Sequence, residues 1–475
     1  MTNNAIIMYI IYIIYKMTNK MTNKGGSVLA SGGFGCVFTP ALKCKGTTKR
    51  ESKKVSKLMT EKHATEEYHE IISIKEKLDS IPNYEKYFLL YDINLCRPEP
   101  LTKTDLANYT SKCTALPKDN ITKLNINSKL DELMTLNIPN GGIALDEFIY
   151  TNGSFDILKK LNLNLIKLLK NGIVQMNKKK IYHCDIKDSN ILVDNLTPTN
   201  ETRLIDWGLA TEYEPFKNAP FPKNWRNRPL QFNVPFSVII FSDAFVEKYT
   251  KFIKNGGKLE EVELKPFVID YITFWMKERG AGHYKFINEI MFMLFSNDIT
   301  SLSEASLKVI IETEFTMSYI TDYIVEILLK YTLFRENGTL NLRHYLDNVF
   351  IENIDIWGFC SAYFPFLELL FNNYSKLTEI EHHLFNSIKD LFVTLYITRA
   401  EKLDINEIIQ QLKNIDKLFE KNITGITPSS RDLASGVKRH NKTKKRPSNK
   451  RISRLSFKRI PLRKKFKKPI FLSLK

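Results

Sequence analysis

The residues His183–Asn190 carry three side chains whose types and spacing suit the transfer of a phosphoryl group. The segment reads His-Cys-Asp-Ile-Lys-Asp-Ser-Asn and leads into an apolar stretch. An aspartate at position 185 can accept or orient a hydroxyl group, and a lysine two positions on can neutralise a migrating phosphoryl group. An asparagine five positions after the aspartate can bind a metal ion. We therefore expect Asp185 and Lys187 to act in catalysis and Asn190 to be a metal ligand.

A second aspartate lies at a place that suits a magnesium ligand. Asp206 follows the apolar residues Leu204 and Ile205 and precedes Trp207 and Gly208. A carboxylate on a tight turn after a strand is a common ligand for Mg²⁺ in sites that handle phosphate. We expect Asn190 and Asp206 together to hold Mg²⁺ or Mn²⁺.

A glycine-rich segment near the N-terminus could receive phosphate groups. Leu29–Val37 reads Leu-Ala-Ser-Gly-Gly-Phe-Gly-Cys-Val. Glycines let backbone N–H groups approach a phosphate closely because no Cβ stands in the way. The same pattern is also typical of an ordinary hairpin turn. This segment therefore indicates phosphate binding only in combination with the other motifs.

Lys57 lies inside an apolar strand, where a lysine is seldom buried without a partner. We expect it to contact phosphate groups and a helix carboxylate. Glu67 is the better partner because Ile71 and Ile74 follow it at helical spacing on the inward face. Glu70 remains the alternative, and the sequence does not decide between the two.

Strands and helices that could position these residues follow from the hydrophobic periodicity. The predicted elements are strands Val28–Ala30, Cys36–Thr39, Lys54–Met59, Ile181–His183, Ile191–Val193 and Arg203–Ile205, and helices Glu66–Leu78 and Leu158–Met176. Residues 92–130 are expected to form an irregular, polar insertion. From about residue 242 to 422, almost every segment has helical periodicity.

The positive charge of the chain is concentrated in its last 45 residues. Residues 431–475 contain 18 Lys and Arg and a single acid, Asp432, which leaves a net charge of about +1 for the remainder of a chain whose total is +18. The pattern predicts a disordered basic tail, not a basic catalytic body. Such a tail could bind a polyanion, either nucleic acid or an anionic membrane surface.

Two further features bear on the cellular compartment. Ala5–Tyr15 is an apolar run of 11 residues, too short to span a bilayer, which needs about 20. It is an artefact of the start site, a peripheral or buried segment, or an anchor. The six cysteines show neither CxxC spacing nor a zinc-like cluster. We interpret all six as free thiols, which predicts an intracellular, reducing compartment such as host cytoplasm or a virion, and the basic tail could direct the chain to the nucleus.

The four motifs, in this order, resemble those of the eukaryotic-type protein kinase superfamily over roughly residues 25–422. Glu352–Gly358 is similar to the central helix of that family, in which an aspartate braces the catalytic loop, so Asp355 is expected to be structural. Residues 280–284 and 228–232 are similar to segments of the divergent kinases encoded by large double-stranded DNA viruses.

The resemblance implies an α+β, bilobal protein-kinase-like fold. Its parts would be an N-terminal extension over 1–24, a small β-rich N-lobe over 25–140, a large helical C-lobe over 141–422 with an insertion at about 240–345, and the basic tail over 423–475. The residues implied at the ATP site are Leu29, Gly32, Gly33, Phe34, Gly35, Val37, Lys57 and Glu67, of which Lys57 is also catalytic. The implied activity is transfer of the γ-phosphoryl group of ATP to serine or threonine hydroxyls of proteins, and Lys187 favours this acceptor over tyrosine.

The sequence departs from the family pattern at several positions. Ala30 replaces the first glycine of the phosphate loop, and Trp207 replaces a phenylalanine. Cys184 replaces the arginine that normally receives an activation-loop phosphate, which a thiol cannot do. Thr211 and Tyr213 are the only hydroxyl residues between Asp206 and Pro235. We therefore expect activity that does not depend on phosphorylation of this loop.

Two other functions remain open at this point. The chain could be a catalytically inactive kinase-fold scaffold, since Ala30 and the long insertion permit it. It could also be a polyanion-binding protein that acts through residues 431–475. Neither the protein substrate, nor a regulator, nor the oligomeric state follows from the sequence.

Overall fold

An antiparallel sheet of five strands contains the predicted glycine-rich hairpin. The computed structural model describes residues 26–425 except 196, 218–221, 300 and 339. The strands are β1 (Ser27–Ser31), β2 (Gly35–Thr39), β3 (Lys54–Thr60), β4 (Asn94–Cys96) and β5 (Leu133–Pro139), in the spatial order β1-β2-β3-β5-β4. The apolar run Ala5–Tyr15 and the basic residues 431–475 lie outside the described residues.

The first helix packs against this sheet and begins earlier than predicted. It runs over Glu61–Leu78 (α1) and buries Ala64, Ile71, Ile74 and Leu78. The predicted start at residue 66 was five residues late, because Ala64 is the only buried residue in the first turn and gives little hydrophobic signal. The predicted strand Lys54–Met59 is confirmed and is one residue longer in the structure.

The region 97–130 has little regular structure but possesses a hydrophobic core of its own. It contains one short helix, α2 (Tyr109–Lys112). Its buried apolar side chains pack together with those of β1 and β2, and they are Leu101, Leu106, Tyr109, Cys113, Ala115, Leu116, Ile121 and Ile126. The prediction of a polar insertion was therefore wrong in one respect, because the insertion has an apolar core. Side chains in irregular backbone can be buried without regular spacing, so hydrophobic periodicity did not reveal it.

Four of the six cysteines form disulfide bonds, which corrects the interpretation of all six as free thiols. Cys36 pairs with Cys113, with 5.4 Å between the Cα atoms, and Cys44 pairs with Cys96 at 5.7 Å. The partners are 77 and 52 residues apart in sequence, a separation that spacing rules cannot detect. Cys184 and Cys360 are free and buried. A reducing compartment therefore no longer follows from the cysteines.

A short turn connects the large sheet to a smaller one. After β5, residues 140–142 lead into β6 (Ile143–Ala144), which pairs with β8 (Ile191–Val193), and β8 pairs in turn with β9 (Thr202–Leu204). β7 (Ile181–Tyr182) pairs with β10 (Thr211–Glu212). Gly142 has φ +102° and its Cα lies against the carbonyl of Val193, where any side chain would clash.

The remainder of the described chain is almost entirely helical, as predicted. The helices are α3 (Leu145–Thr151), α4 (Phe155–Lys167), α5 (Val174–Lys178), α6 (Asp243–Lys254), α7 (Glu261–Arg279), α8 (Tyr284–Phe295), α9 (Glu304–Ile310), α10 (Thr316–Tyr331), α11 (Arg343–Tyr345), α12 (Ile351–Ser361), α13 (Phe364–Phe371), α14 (Glu379–Ile397) and α15 (Ile405–Gly425). A π-helical turn, Leu168–Ile173, joins α4 to α5, so the single helix predicted at 158–176 is interrupted.

The helix α12 lies at the centre of the hydrophobic core. Ten of its eleven residues are buried. The helical stretch Arg343–Phe371 that contains it is apolar and long enough to cross a membrane, but 89% of its most apolar window is buried inside the protein, as expected for a core helix. The described chain thus belongs to the α+β class, with a mainly antiparallel sheet followed by a large helical part.

The chain divides into two units, Met1–Val437 and Lys438–Lys475. All described residues belong to the first. The second lies wholly within the predicted basic tail.

Candidate active site

The buried carboxylate of Asp355 fixes the backbone of the segment that carries the candidate catalytic residues. Its Oδ2 accepts hydrogen bonds from the backbone N–H of His183 at 2.9 Å and from the side chain of Asn177 at 2.7 Å. Its Oδ1 accepts from the backbone N–H of Cys184 at 2.8 Å. Asp355 is only 1% exposed. The carboxylate therefore holds the chain immediately before Asp185, as expected for a bracing residue.

The side chains of Asp185, Lys187 and Asn190 form one hydrogen-bonded cluster. Lys187 Nζ donates to Asp185 Oδ2 at 2.8 Å, and Asn190 Nδ2 donates to the same oxygen at 3.1 Å and to the backbone carbonyl of residue 185 at 2.8 Å. The short turn at Asp188–Asn190 brings the asparagine back toward the aspartate. The three residues singled out by their spacing are thus brought together.

A fourth member of the cluster, Asn233, was missed by sequence reasoning. Its Nδ2 donates to Asp185 Oδ1 at 2.9 Å and to the carbonyl of Ile186 at 3.2 Å. The amide orientation is determined by these two acceptors, because the reversed amide would place an oxygen against both. Asn233 is fully buried. It lies 48 residues after Asp185 in sequence, so no local pattern could connect the two.

The environment of Asp185 favours the carboxylate over the acid. Burial on its own would raise the pKa of this group, but the charge and hydrogen bond of Lys187, the hydrogen bond from Asn233 and the charge of Arg228 together hold the pKa below its usual range. Asp185 is therefore ionised at neutral pH and available to accept a further hydrogen bond.

Hydrogen bonds through Ile205 place Asp206 beside the same cluster. The backbone N–H of Ile205 donates to the carbonyl of Asn190 at 3.0 Å. The carbonyl of Ile205 lies 3.0 Å from Nε2 of His183. Asp206 comes next, with φ +65°, and its side chain is exposed. This left-handed backbone conformation follows the end of the strand, one residue after the hydrogen bond to Asn190.

The residue after Asp206 anchors the turn in the core. Trp207 is 4% exposed. Its ring lies 4.8 Å from that of His183 and 5.5 Å from that of Phe88. Trp207 therefore packs between the segment His183–Asn190 and the chain that follows α1, which is compatible with the expectation that tryptophan replaces phenylalanine here as an apolar anchor.

Lys57 forms an ion pair with Glu67, which decides between the two glutamates that the sequence left open. Lys57 Nζ lies 2.7 Å from both carboxylate oxygens of Glu67. The side chains are 17% and 21% exposed, so the pair is partly shielded from solvent. Glu70 takes no part in this pair; burial, followed by the charges of Glu67 and Glu66, raises its pKa.

The glycine-rich turn lies above Lys57. The backbone N–H of Gly32 donates to the carbonyl of Gly35 at 2.9 Å, which closes the turn. A Cβ added to Gly32 would lie 3.7 Å from Cε of Lys57, whereas one added to Gly33 would meet nothing within 4 Å. Gly35 differs, because any side chain there would clash with β3. Gly33 therefore borders open space, and Gly32 lies beside the side chain of Lys57.

The side chains that flank this turn face different surroundings. Leu29 and Phe34 are 50% and 59% exposed, and Val37 is half-buried. Leu29 and Phe34 thus present apolar surface to solvent beside the turn.

The insertion holds the glycine-rich turn from one side. Ser31 Oγ accepts hydrogen bonds from the backbone N–H groups of Thr114 and Ala115, both at 3.1 Å. The disulfide between Cys36 and Cys113 joins the same two segments. The turn is thus fixed to the insertion at both of its ends. Sequence reasoning assigned no role to Ser31.

The chain path places the two groups of residues at one junction. β3, which carries Lys57, pairs with β5, and β5 leads directly into β6. β6 pairs with β8, which begins immediately after Asn190. The backbone N–H of Leu89 also donates to the carbonyl of Leu204, two residues before Asp206, at 3.1 Å. The ion pair of Lys57 and the cluster around Asp185 therefore border the place where the large sheet meets the helical part.

The oxygens near Asn190 suit a hard divalent cation. Asn190 uses its Nδ2 for both hydrogen bonds to Asp185, and among the described residues nothing donates to its Oδ1. The carboxylate of Asp206 likewise has neither a hydrogen bond nor an ion pair within the described part of the chain. Amide and carboxylate oxygens are ligands that Mg²⁺ prefers. Within that same part, no group of three or more His, Cys, Asp and Glu side chains could hold a metal.

The segment after Asp206 is held by contacts that need no phosphate. Tyr213 is 2% exposed and donates a hydrogen bond from its hydroxyl to Asp347, which also accepts from the backbone N–H of Phe216 at 2.9 Å. Thr211 lies in β10, paired with Tyr182. One of the two hydroxyl residues is therefore buried and already bonded.

Comparison of the chain with protein-family models and with curated proteins finds no match in either set.

Proposed function

We propose that the chain is an ATP-dependent serine/threonine protein kinase with a bilobal, protein-kinase-like fold. The observation that carries this proposal is the hydrogen-bonded cluster of Asp185, Lys187 and Asn190, with Asp206 next to it and the ion pair of Lys57 and Glu67 across the same junction. A carboxylate, two cations and two metal-binding oxygens at one site are the groups that phosphoryl transfer to a hydroxyl requires.

Each side chain has a separate task in this proposal. Asp185 Oδ1 has a free lone pair beside the bond from Asn233, and it orients the substrate hydroxyl and holds its proton. Lys187 places a positive charge where negative charge develops. Lys57, kept in position by Glu67, contacts the phosphates of ATP, and the open side of the turn at Gly33 lets backbone N–H groups approach them.

Asn190 Oδ1 and the Asp206 carboxylate would hold Mg²⁺, or Mn²⁺, because they are oxygen ligands without another partner in the described chain. The bound cation would neutralise charge on the phosphate groups. Positioning and electrostatics then supply most of the rate, so the fixed backbone between His183 and Asn190 is as important as the charged groups.

Incubation of the purified protein with labelled ATP, Mg²⁺ and mixed protein substrates tests the proposal. We expect label on serine and threonine, and a loss of several orders of magnitude in turnover for Asp206→Ala at unchanged fold. Asp79→Ala is a matched control, since Asp79 is an exposed aspartate at the end of α1. Full activity of a folded Asp206→Ala protein would refute the assignment.

The same experiment separates the proposal from a catalytically inactive scaffold with a kinase-like fold. A scaffold would bind ATP or a partner without transferring label, and its binding would be unaffected by Asp185→Asn. Lys187, Asn190 and Asn233 all donate hydrogen bonds to the buried carboxylate of Asp185. This arrangement favours the enzyme, because an inactive scaffold would be served equally well by a simpler core at this position.

A second proposed function, polyanion binding, rests on the segregation of charge. Residues 431–475 carry 18 Lys and Arg against one acid. Binding to nucleic acid or to an anionic membrane through these residues would weaken steeply with salt, because it releases counterions. Deletion of residues 431–475 should therefore shift elution from a heparin column to lower salt, and unchanged elution would exclude this function.

A further inference from the structure

We propose that Arg228 is a positioning residue for the phosphoryl-transfer site. It joins the segment 225–233 to the backbone of residue 184 and to the carboxylate of residue 185, so that the site is assembled without a loop phosphate. This inference rests on the proposed kinase activity. It assigns to Arg228 the cationic contact that the thiol of Cys184 cannot make.

The guanidinium group of Arg228 reaches three partners from one buried position. Its Nη1 donates to the carbonyl of Cys184 at 2.8 Å, and its Nε donates to Gln231 Oε1 at 2.7 Å. Its Nη2 lies 3.9 Å from Asp185 Oδ1. Arg228 is 6% exposed, and Nη2 is buried without a hydrogen-bond partner in the described chain. Burying a charged group with this little access to water costs free energy, which its interactions in that position must offset.

Only the planar fork of an arginine fits this arrangement. Nη1 and Nε donate hydrogen bonds to a carbonyl and to an amide oxygen while Nη2 faces a carboxylate at 3.9 Å, which a single ammonium group on a flexible stem cannot do. Lys187 approaches Asp185 from the other side, at Oδ2. Asp185 therefore lies between two cations, with Lys187 at Oδ2 and Arg228 on the side of Oδ1, to which Asn233 donates the hydrogen bond.

The segment that carries Arg228 is itself held by tryptophans. Trp275 Nε1 donates to the carbonyl of Arg228 at 3.0 Å, and Trp357 Nε1 donates to the carbonyl of Phe232 at 2.9 Å. Trp225 Nε1 lies 2.9 Å from the sulfur of Cys184. These contacts come from α7, from α12 and from the segment itself, and none of them requires a modified residue. The backbone that carries the guanidinium group of Arg228 is thus held in place by these contacts.

An incidental structural ion pair is the plain alternative. It predicts that loss of Arg228 lowers the free energy of unfolding and the folded fraction, while kcat per folded molecule stays unchanged. A positioning role predicts a different result, because ATP binds at the junction near Lys57 while Arg228 contacts the segment that orients the hydroxyl. Loss of the fork should then reduce kcat per folded molecule and leave the KM for ATP unchanged.

The test uses the full-length protein with Arg228→Lys, which retains the buried positive charge and removes the fork. We expect a folded protein whose KM for ATP is unchanged and whose kcat falls by about 10- to 100-fold, the cost of a misplaced catalytic group. The matched control is Arg226→Lys, since Arg226 is exposed and pairs with Asp243 at the surface. It should leave both constants unchanged.

A wild-type kcat in Arg228→Lys would overturn the inference, and so would a parallel change in kcat and in ATP binding. If Arg228→Lys does not fold, Gln231→Leu decides, because it removes the partner of Nε at a half-buried position. A lower kcat at constant KM supports the proposal, and an unchanged kcat overturns it. A wild-type protein that transfers no phosphate would refute the proposed function and this inference together, whereas an active wild type with an unaffected Arg228→Lys refutes the inference alone.

Discussion

Substitution of Asp355 by asparagine should weaken both the fold and the catalytic segment. The carboxylate uses one oxygen for the N–H of Cys184 and the other for the N–H of His183 and the amide of Asn177. An asparagine offers one acceptor and one NH₂ group. In the variant, at least one buried N–H group would therefore face another donor.

The expected magnitude follows from these contacts. Loss of one hydrogen bond to a charged group costs about 1.5–3 kcal/mol, and the unsatisfied buried N–H adds about 1–3 kcal/mol. Burial, the largest influence, raises the pKa of Asp355, so the neutral amide recovers part of the cost of burying a charge. We expect the free energy of unfolding to fall by roughly 2–4 kcal/mol.

Urea titration followed by tryptophan fluorescence measures this change, and the initial rate of phosphoryl transfer measures its effect on the site. Because Asp355 positions the backbone next to Asp185, we expect kcat to fall by about 100-fold in the folded protein. Glu352→Gln is the control on the same helix, since its half-buried carboxylate makes no hydrogen bond within the described chain. An Asp355→Asn protein as stable and active as Glu352→Gln would refute the bracing role.

Three further predictions concern pH, covalent bonds and regulation. Burial, and then the charge of Asp146, raise the pKa of Asp188 to about 6, so the ionised form disfavours folding. Asp188→Asn should stabilise the protein by up to about 3 kcal/mol at pH 7; the gain should vanish as the pH falls from 6 to 4, and a pH-independent gain in urea unfolding would contradict the reasoning. The Cys36→Ser, Cys113→Ser variant should lose about 4 kcal/mol under oxidising conditions and nothing relative to wild type in dithiothreitol, since the bond closes a long loop; equal loss in both conditions would show that packing is responsible. Thr211→Ala should retain most of its phosphoryl transfer activity, because other contacts hold the loop, and a collapse to background would show that a loop phosphate is needed.

Features that depend on nearby residues were predictable from the sequence. The hairpin of β1 and β2, the strand with Lys57 and the cluster of Asp185, Lys187 and Asn190 all depend on residues within a few positions of one another. Helical spacing favoured Glu67 as the partner of Lys57 but left Glu70 open, and the structure decided between the two. The periodicity of apolar side chains and the short spacing of polar ones in the sequence predict such local features directly.

Features that join distant parts of the chain were not predictable. Asn233 and Arg228 contact residues 184–186 from more than 40 positions away. The disulfide of Cys36 and Cys113 spans 77 residues. The apolar core of the insertion forms without regular periodicity, so its residues looked polar and irregular. Only the fold places these groups in contact, because the spacing of side chains along one helix or strand gives no information on partners so far apart in sequence.

The transfer of label from ATP to protein hydroxyls by the wild-type chain tests the central proposal most directly. With Mg²⁺ present, we expect phosphoserine and phosphothreonine to accumulate linearly with time and enzyme concentration, and Asp185→Asn to reduce the rate by orders of magnitude while ATP binding persists. A folded wild-type protein that binds ATP and transfers no label to any hydroxyl, or an Asp185→Asn protein with the wild-type rate, would contradict it.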